Sequence, residues 1–166
     1  MENRKKLENI WFYYKKHILI GLAVVLVLAY LGIQKLTTEK PDYHIGLVRS
    51  EALSIEELNS LNAAFTAAGQ DLNGDGQILV QIHTYYADLA DDSENAGVNN
   101  AEAVQGLDAD LIGKMSGIFL LEDVDTFQAL TNGIVSADVI SMDYGLFLTV
   151  RNDAPEAYTD LIENMF

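Results

Sequence analysis

Apolar residues fall into two regimes along this chain. Near the start runs one unbroken block, Ile18 to Ile33, in which eleven of sixteen residues are Leu, Ile or Val. After it, short apolar blocks alternate with polar ones to the end. Polar Thr37 to Pro41 reads as a linker, and Asp42 to Val48 as a first strand. Ser54-Ile55-Glu56-Glu57 matches a capping box, and Leu58, Leu61 and Phe65 form the apolar stripe of the helix it opens, with Gly69 as its stop. Gln77 to Tyr85 is rich in β-formers, and Asp88 to Asn100 is a polar loop. Asn99 with Glu102 opens a second helix carrying Val104, Leu107 and Leu111 on one face.

Ile118-Phe119-Leu120-Leu121 is wholly apolar, as suits a strand covered on both faces, and Leu146 to Val150 is a second run of that kind. Between them Asp123 caps a brief helix through Phe127 and Leu130. Asp153-Ala154-Pro155-Glu156 opens a last helix with Tyr158, Leu161, Ile162 and Phe166. Strands alternating with helices predict right-handed crossovers and an α/β fold. The expected architecture is a three-layer sandwich with a mostly parallel sheet, preceded by one N-terminal transmembrane helix. No internal repeat or low-complexity tract is visible.

Charge sharpens the division. Residues 1–40 hold seven of the ten Lys and Arg against three acids, a net of +4. Residues 41–166 keep three basic residues, Arg49, Lys114 and Arg151, against 22 acidic ones, a net of -19. At about 0.3 to 0.6 kcal/mol each, the Leu, Ile and Val of the early block contribute roughly 3 to 7 kcal/mol toward insertion in a bilayer. Lys15, Lys16 and Lys35 would snorkel at its ends, and Trp11 to Tyr14 would form an aromatic belt. A cleaved signal peptide is the competing reading. It lacks the small residues of a cleavage site, because Tyr30 stands three residues before any cut after Gly32.

The expected organisation is therefore a basic cytoplasmic tail over 1–16, a transmembrane helix over 17–36, a linker over 37–41 and an extracytoplasmic domain over 42–166. The basic flank puts the N-terminus in the cytoplasm of a single-pass cell-membrane protein. Without cysteine, neither a disulfide framework nor a lipidated Cys anchor is possible. A surface at -19 repels phosphate backbones, which excludes nucleic acid as a partner and leaves cations or basic patches on another membrane or cell-surface protein.

The order of segments resembles one lobe of the extracellular solute-binding proteins. His44 to Val48, the helix ending at Gly69, the strand opening on Ile78-Leu79-Val80 and Gly117 to Leu121 parallel its first lobe. Tyr144 to Glu156 looks like the segment where such proteins return to that lobe. Trp11 to Ile18 resembles the opening of small membrane-anchored proteins of Gram-positive bacteria. The resemblance implies an extracellular binding fold. The chain has about half the length of a two-lobed binding protein, so capture by hinge closure between lobes does not carry over.

Candidate chemistry is sparse. Asp71-Leu72-Asn73-Gly74-Asp75-Gly76-Gln77-Ile78 matches the first eight positions of an EF-hand or dockerin-type calcium loop. Asp71, Asn73 and Asp75 would offer side-chain oxygens and Gln77 its carbonyl. The twelfth position is Ile82 rather than Glu, so Asp88, Asp91, Asp92 or Glu94 would have to complete the shell. The competing reading is a tight turn feeding the next strand. His44 and His83 stand in strands without a companion at ligand spacing and read as structural. Gly113-Lys114-Met115-Ser116 fails as a phosphate loop on spacing and context, and no catalytic residue set stands out. The expected function is a non-catalytic, membrane-anchored binding or interaction module for an unidentified small molecule or protein. The alternatives are a structural subunit of a membrane complex and an extracytoplasmic hydrolase.

Overall fold

The computed structural model describes residues 14–17, 19–30, 40–89 and 101–166. The chain divides into two units, residues 1–39 and 40–166. In the first, residues 14–17 and 19–30 are helical and exposed, with Leu19, Ile20, Leu26 and Leu28 more than half exposed. Among the described residues no helix is long and apolar enough to cross a membrane. Of the span expected over 17–36, residues 18 and 31–36 lie outside the described residues.

The second unit is an α/β sandwich around one five-stranded sheet of order β2-β1-β3-β5-β4. Its strands are β1 (Tyr43–Arg49), β2 (Val80–Tyr86), β3 (Ile118–Leu121), β4 (Ile140–Ser141) and β5 (Phe147–Val150). Its helices are α1 (Ile55–Ala68), α2 (Ala101–Gly113), α3 (Val124–Thr131) and α4 (Glu156–Met165). The capping box forms as expected: Glu57 N–H donates to Ser54 Oγ at 3.3 Å, and Ser54 N–H donates to Glu57 Oε2 at 2.7 Å. Asp123 caps α3 through the Thr126 amide. Gly69 ends α1 in extended rather than left-handed backbone. Asp153 does not cap α4; Pro155 holds the cap position, and the Asp153 carboxylate pairs with Lys114 and Arg151 instead.

Alternation of the strands builds two cores. Tyr43, Ile45 and Leu47 of β1 share one face with Ile118, Leu120 and Leu148, covered by Leu61 and Phe65 of α1 and Tyr158, Leu161 and Ile162 of α4. Val48, Phe119 and Leu121 lie on the other face beneath Leu107 of α2 and Phe127 of α3. The three layers are as expected. The mostly parallel sheet is not: β1 pairs β2 and β3 in parallel, whereas β3–β5 and β4–β5 are antiparallel, so the sheet is mixed.

The reason is chain length. Five residues separate Ser141 from Phe147, too few for a parallel crossover of about a dozen or more but enough for a reversal. Tyr144 (φ 64°) and Gly145 (φ 70°) make that reversal through left-handed backbone. β4 therefore runs alongside β3 one strand further out, and β5 returns into the slot between them.

Close packing is tightest where Phe119 crosses β1. A Cβ on Gly46 would stand 2.6 Å from the Phe119 ring, and Phe119 is fully buried. Gly46→Ala is therefore expected to destabilise the domain by about 1–3 kcal/mol through overpacking while leaving its secondary structure in place. Urea unfolding followed by circular dichroism measures this; a midpoint equal to wild type would mean the Phe119 contact is not a constraint.

Candidate functional site

Polar groups collect at the two ends of the sheet. At the carboxyl end, β1 leads into α1 on one face, whereas β3 leads into α3 on the other. The chain thus parts between β1 and β3, the switch point at which open α/β sheets leave a crevice. The crevice here measures about 230 Å³ and is lined by Val48, Arg49 and Ser50 after β1, Ala87, Asp88 and Leu89 after β2, and Glu122 and Asp123 after β3. A neighbouring hollow shares Glu122 and Asp123 and extends to Val139 and Phe147.

The rim is tied by hydrogen bonds. Ser50 donates to Glu122 Oε2 from both its amide and its hydroxyl, each at 2.8 Å. Those two bonds, with the charge of Arg49, hold the Glu122 carboxyl below its ordinary pKa against a smaller opposing effect of burial. The Ser54 hydroxyl and amide, aided by Arg49, do the same for Glu57 at the head of α1. Arg49 is half-buried, its Nε is shielded from solvent, and no hydrogen-bond partner reaches that atom. Helices α1 and α3 both begin at this edge, bringing the positive ends of their dipoles to it. The crevice thus places the Arg49 guanidinium beside ionised carboxylates.

At the amino end a second cluster lies on the α2 face. His44 Nδ1 and His83 Nε2 are 3.0 Å apart. The ring centroids are 5.3 Å apart and the planes differ by 14°. The centroid separation exceeds the nitrogen separation by about one ring diameter, so the nitrogens lie on the line between the rings. The imidazoles therefore meet edge to edge rather than face to face, one donating N–H to the other's lone pair. Burial lowers the His44 pKa, the neighbouring His83 lowers it further, and the Asp110 charge partly opposes both.

Asp110, fully buried on α2, accepts from the Ser116 amide at 2.7 Å, the Ser116 hydroxyl at 2.5 Å and the Tyr85 hydroxyl at 2.7 Å. Burial and the Asp110 contact push the Tyr85 hydroxyl pKa upward, so it stays a donor. Ser116 is fully buried and its hydroxyl donates a hydrogen bond to Asp110, an arrangement that fixes the turn into β3 and offers no nucleophile. Arg151, 5% exposed, donates from Nη2 to Leu111 O at 3.0 Å. Its Nε lies 2.6 Å from Asp153 Oδ1 as an ion pair without hydrogen-bond alignment.

The expected calcium loop is also at the amino end. Asp71 accepts from the amides of Gly74 (2.6 Å) and Gly76 (2.8 Å), Asn73 Oδ1 from Asp75, and Asp75 Oδ1 from Gln77. Asp71, Asn73 and Asp75 thus brace the loop's own turns. Gln77 contributes its amide to them. Asp88 cannot complete a shell there. It follows β2 while the loop precedes it, and seven strand residues put about 20 Å between them. Asp91, Asp92 and Glu94 lie outside the described residues. Among the described residues, no group of three or more His, Asp or Glu is placed to hold a metal ion.

The loop is anchored by a residue that pattern reading passed over as the edge of a strand. Asp42, 8% exposed, accepts from the amides of Leu72, Asn73 and Leu79 at 2.9, 3.1 and 2.9 Å. Comparison with protein-family models, curated proteins and solved structures finds no match to this chain.

Burial alone would raise the Asp42 pKa, but the amides of Leu79, Leu72 and Asn73 together outweigh it and leave the value lowered. The unfolded chain therefore binds the proton more readily. Asp42 contributes fully above the ordinary carboxylate range, and its contribution fades as pH falls through that range and past the folded pKa. Asp42→Asn should cost about 1–3 kcal/mol at neutral pH and less in acid. Urea midpoints across that range measure the difference; a cost independent of pH would contradict the assignment.

Proposed function

We propose that this chain is a membrane-anchored, extracytoplasmic, non-catalytic binding module whose ligand sits in the carboxyl-end crevice. The observation that carries the reading is the convergence of Arg49 and Glu122 at the β1–β3 switch point, where α/β sheets engage ligands. The ligand that suits a guanidinium donor, two helix amino ends and ionised carboxylates is a small zwitterion, such as an amino acid or a peptide end. Its carboxylate would face Arg49 and its ammonium Glu122.

Two further features support the cellular setting. The helical residues 19–30 expose an unbroken apolar surface, which suits hydrocarbon better than water. The Lys and Arg that precede the apolar block suit the cytoplasmic side of a membrane. The likeness of the segment order to one lobe of extracellular solute-binding proteins agrees with a binding role.

Full-length protein in detergent micelles, screened by thermal shift against amino acids, short peptides, sugars and polyanions, is expected to be stabilised by zwitterions. The shift should follow ligand concentration and be lost in Arg49→Gln. No shift from any compound would favour a structural subunit of a membrane complex. Protease added to intact cells should remove the acidic domain; its survival would overturn the outward orientation.

A further inference from the structure

His44 and His83, each structural when taken alone, together make a geometry neither has singly. We propose that they form a two-coordinate site for a monovalent coinage-metal cation, Cu(I), with Ag(I) as its redox-inert analogue. Their facing nitrogens lie on the line joining the rings, 3.0 Å apart, so the two donor directions are opposed and collinear. Zinc, nickel and Cu(II) take four or more ligands in tetrahedral or square arrangements, and no third His, Asp or Glu among the described residues is placed to supply them. A filled-shell monovalent ion is satisfied by two opposed nitrogens.

An imidazole nitrogen sits about 2 Å from a bound metal, so a collinear ion needs the nitrogens about 4 Å apart, an opening of about 1 Å. The sheet allows it. β2 is an edge strand, so no further strand holds it on the side of His83 away from β1, while His44 stands on the inner strand β1 with its amide held by the Tyr158 hydroxyl at 3.1 Å. Both histidines are half-buried. The buried Asp110 carboxylate behind His44 favours added positive charge.

The exchange balances. In the neutral pair one N–H bridges the two rings; the ion takes that position, and the displaced proton moves to the outer nitrogen of the same ring. No electron is transferred, and the pair gains one positive charge.

The test uses the full chain in nonionic detergent, in chloride-free buffer near neutral pH, titrated with silver nitrate. Expected are one ion per chain, coupled 15N shifts of His44 Nδ1 and His83 Nε2, and at least about tenfold weaker binding in His83→Gln. Met115→Leu, which removes a partly exposed thioether, should leave the affinity unchanged. Zinc at the same concentration should not move both nitrogens. Silver shifting neither ring or only one, unaltered affinity in His83→Gln, or zinc binding the pair more tightly than silver would each overturn the proposal. The wild-type nitrogen shifts decide it even if the variant fails to fold.

Discussion

Phe119 can lie over β1 only because residue 46 has no side chain, and the domain is organised around that overlap. β1 and β3 are the two inner parallel strands, joined along Ile45–Val48 and Ile118–Leu121, and both have helices on both faces. The ring of Phe119 packs on Phe127, with centroids 5.2 Å apart, which fixes α3 against the sheet. On the opposite face the same economy recurs. A Cβ on Gly117 would stand 2.6 Å from the Tyr158 ring, so the glycine before β3 lets α4 settle on the strand and aims the Tyr158 hydroxyl at the His44 amide. Two bare backbone positions therefore set the layer spacing on both sides.

The ends of the sheet solve different problems with the same residue type. At the amino end, Asp42 and Asp110 are carboxylates withdrawn from water, and each accepts three hydrogen bonds from groups outside itself. A buried acidic side chain is tolerated only when so supported, and these two tie the approaches to β1, β2 and β3 to one another. At the carboxyl end, Glu122 and Asp123 are also bonded, but they stand at the wall of a crevice with Arg49 between strands. The first arrangement locks backbone. The second leaves charge turned toward solvent, which is where recognition has chemistry to work with.

What could be read from the chain was local. The Ser54–Glu57 box, the Asp123 cap and the run Ile118–Leu121 depend on neighbours a few residues away, and each appears where its pattern puts it, whereas the run from Leu146 gives a strand only from Phe147, whose side chain is exposed. The direction of β5 depends on a left-handed turn at Tyr144-Gly145, and apolar content carries no information about direction. The histidine pair is 39 residues apart in sequence and exists only because the parallel register sets His83 beside Gly46, one step diagonally from His44. Asp110 looks like one of three acids on α2; only the turn into β3, which brings Ser116 to it, and the reach of Tyr85 set it apart from its exposed neighbour Asp108. Asp71, Asn73 and Asp75 were legible as a loop, while the carboxylate that fastens the loop comes from a different segment.

The slot between β3 and β4 is closed by the strand that follows both of them in the chain. A nascent polypeptide emerging amino end first can assemble β1, β2 and β3 while later residues are still confined, yet β4 then has no neighbour to bond. The sheet acquires its full width only after Phe147–Val150 is released, and α4, which seals Leu148 from water, comes later still. Closure of the sheet consequently waits on β5 and α4, and a chain stalled before Phe147–Val150 would display a raw strand edge suited to aggregation or to capture by a chaperone.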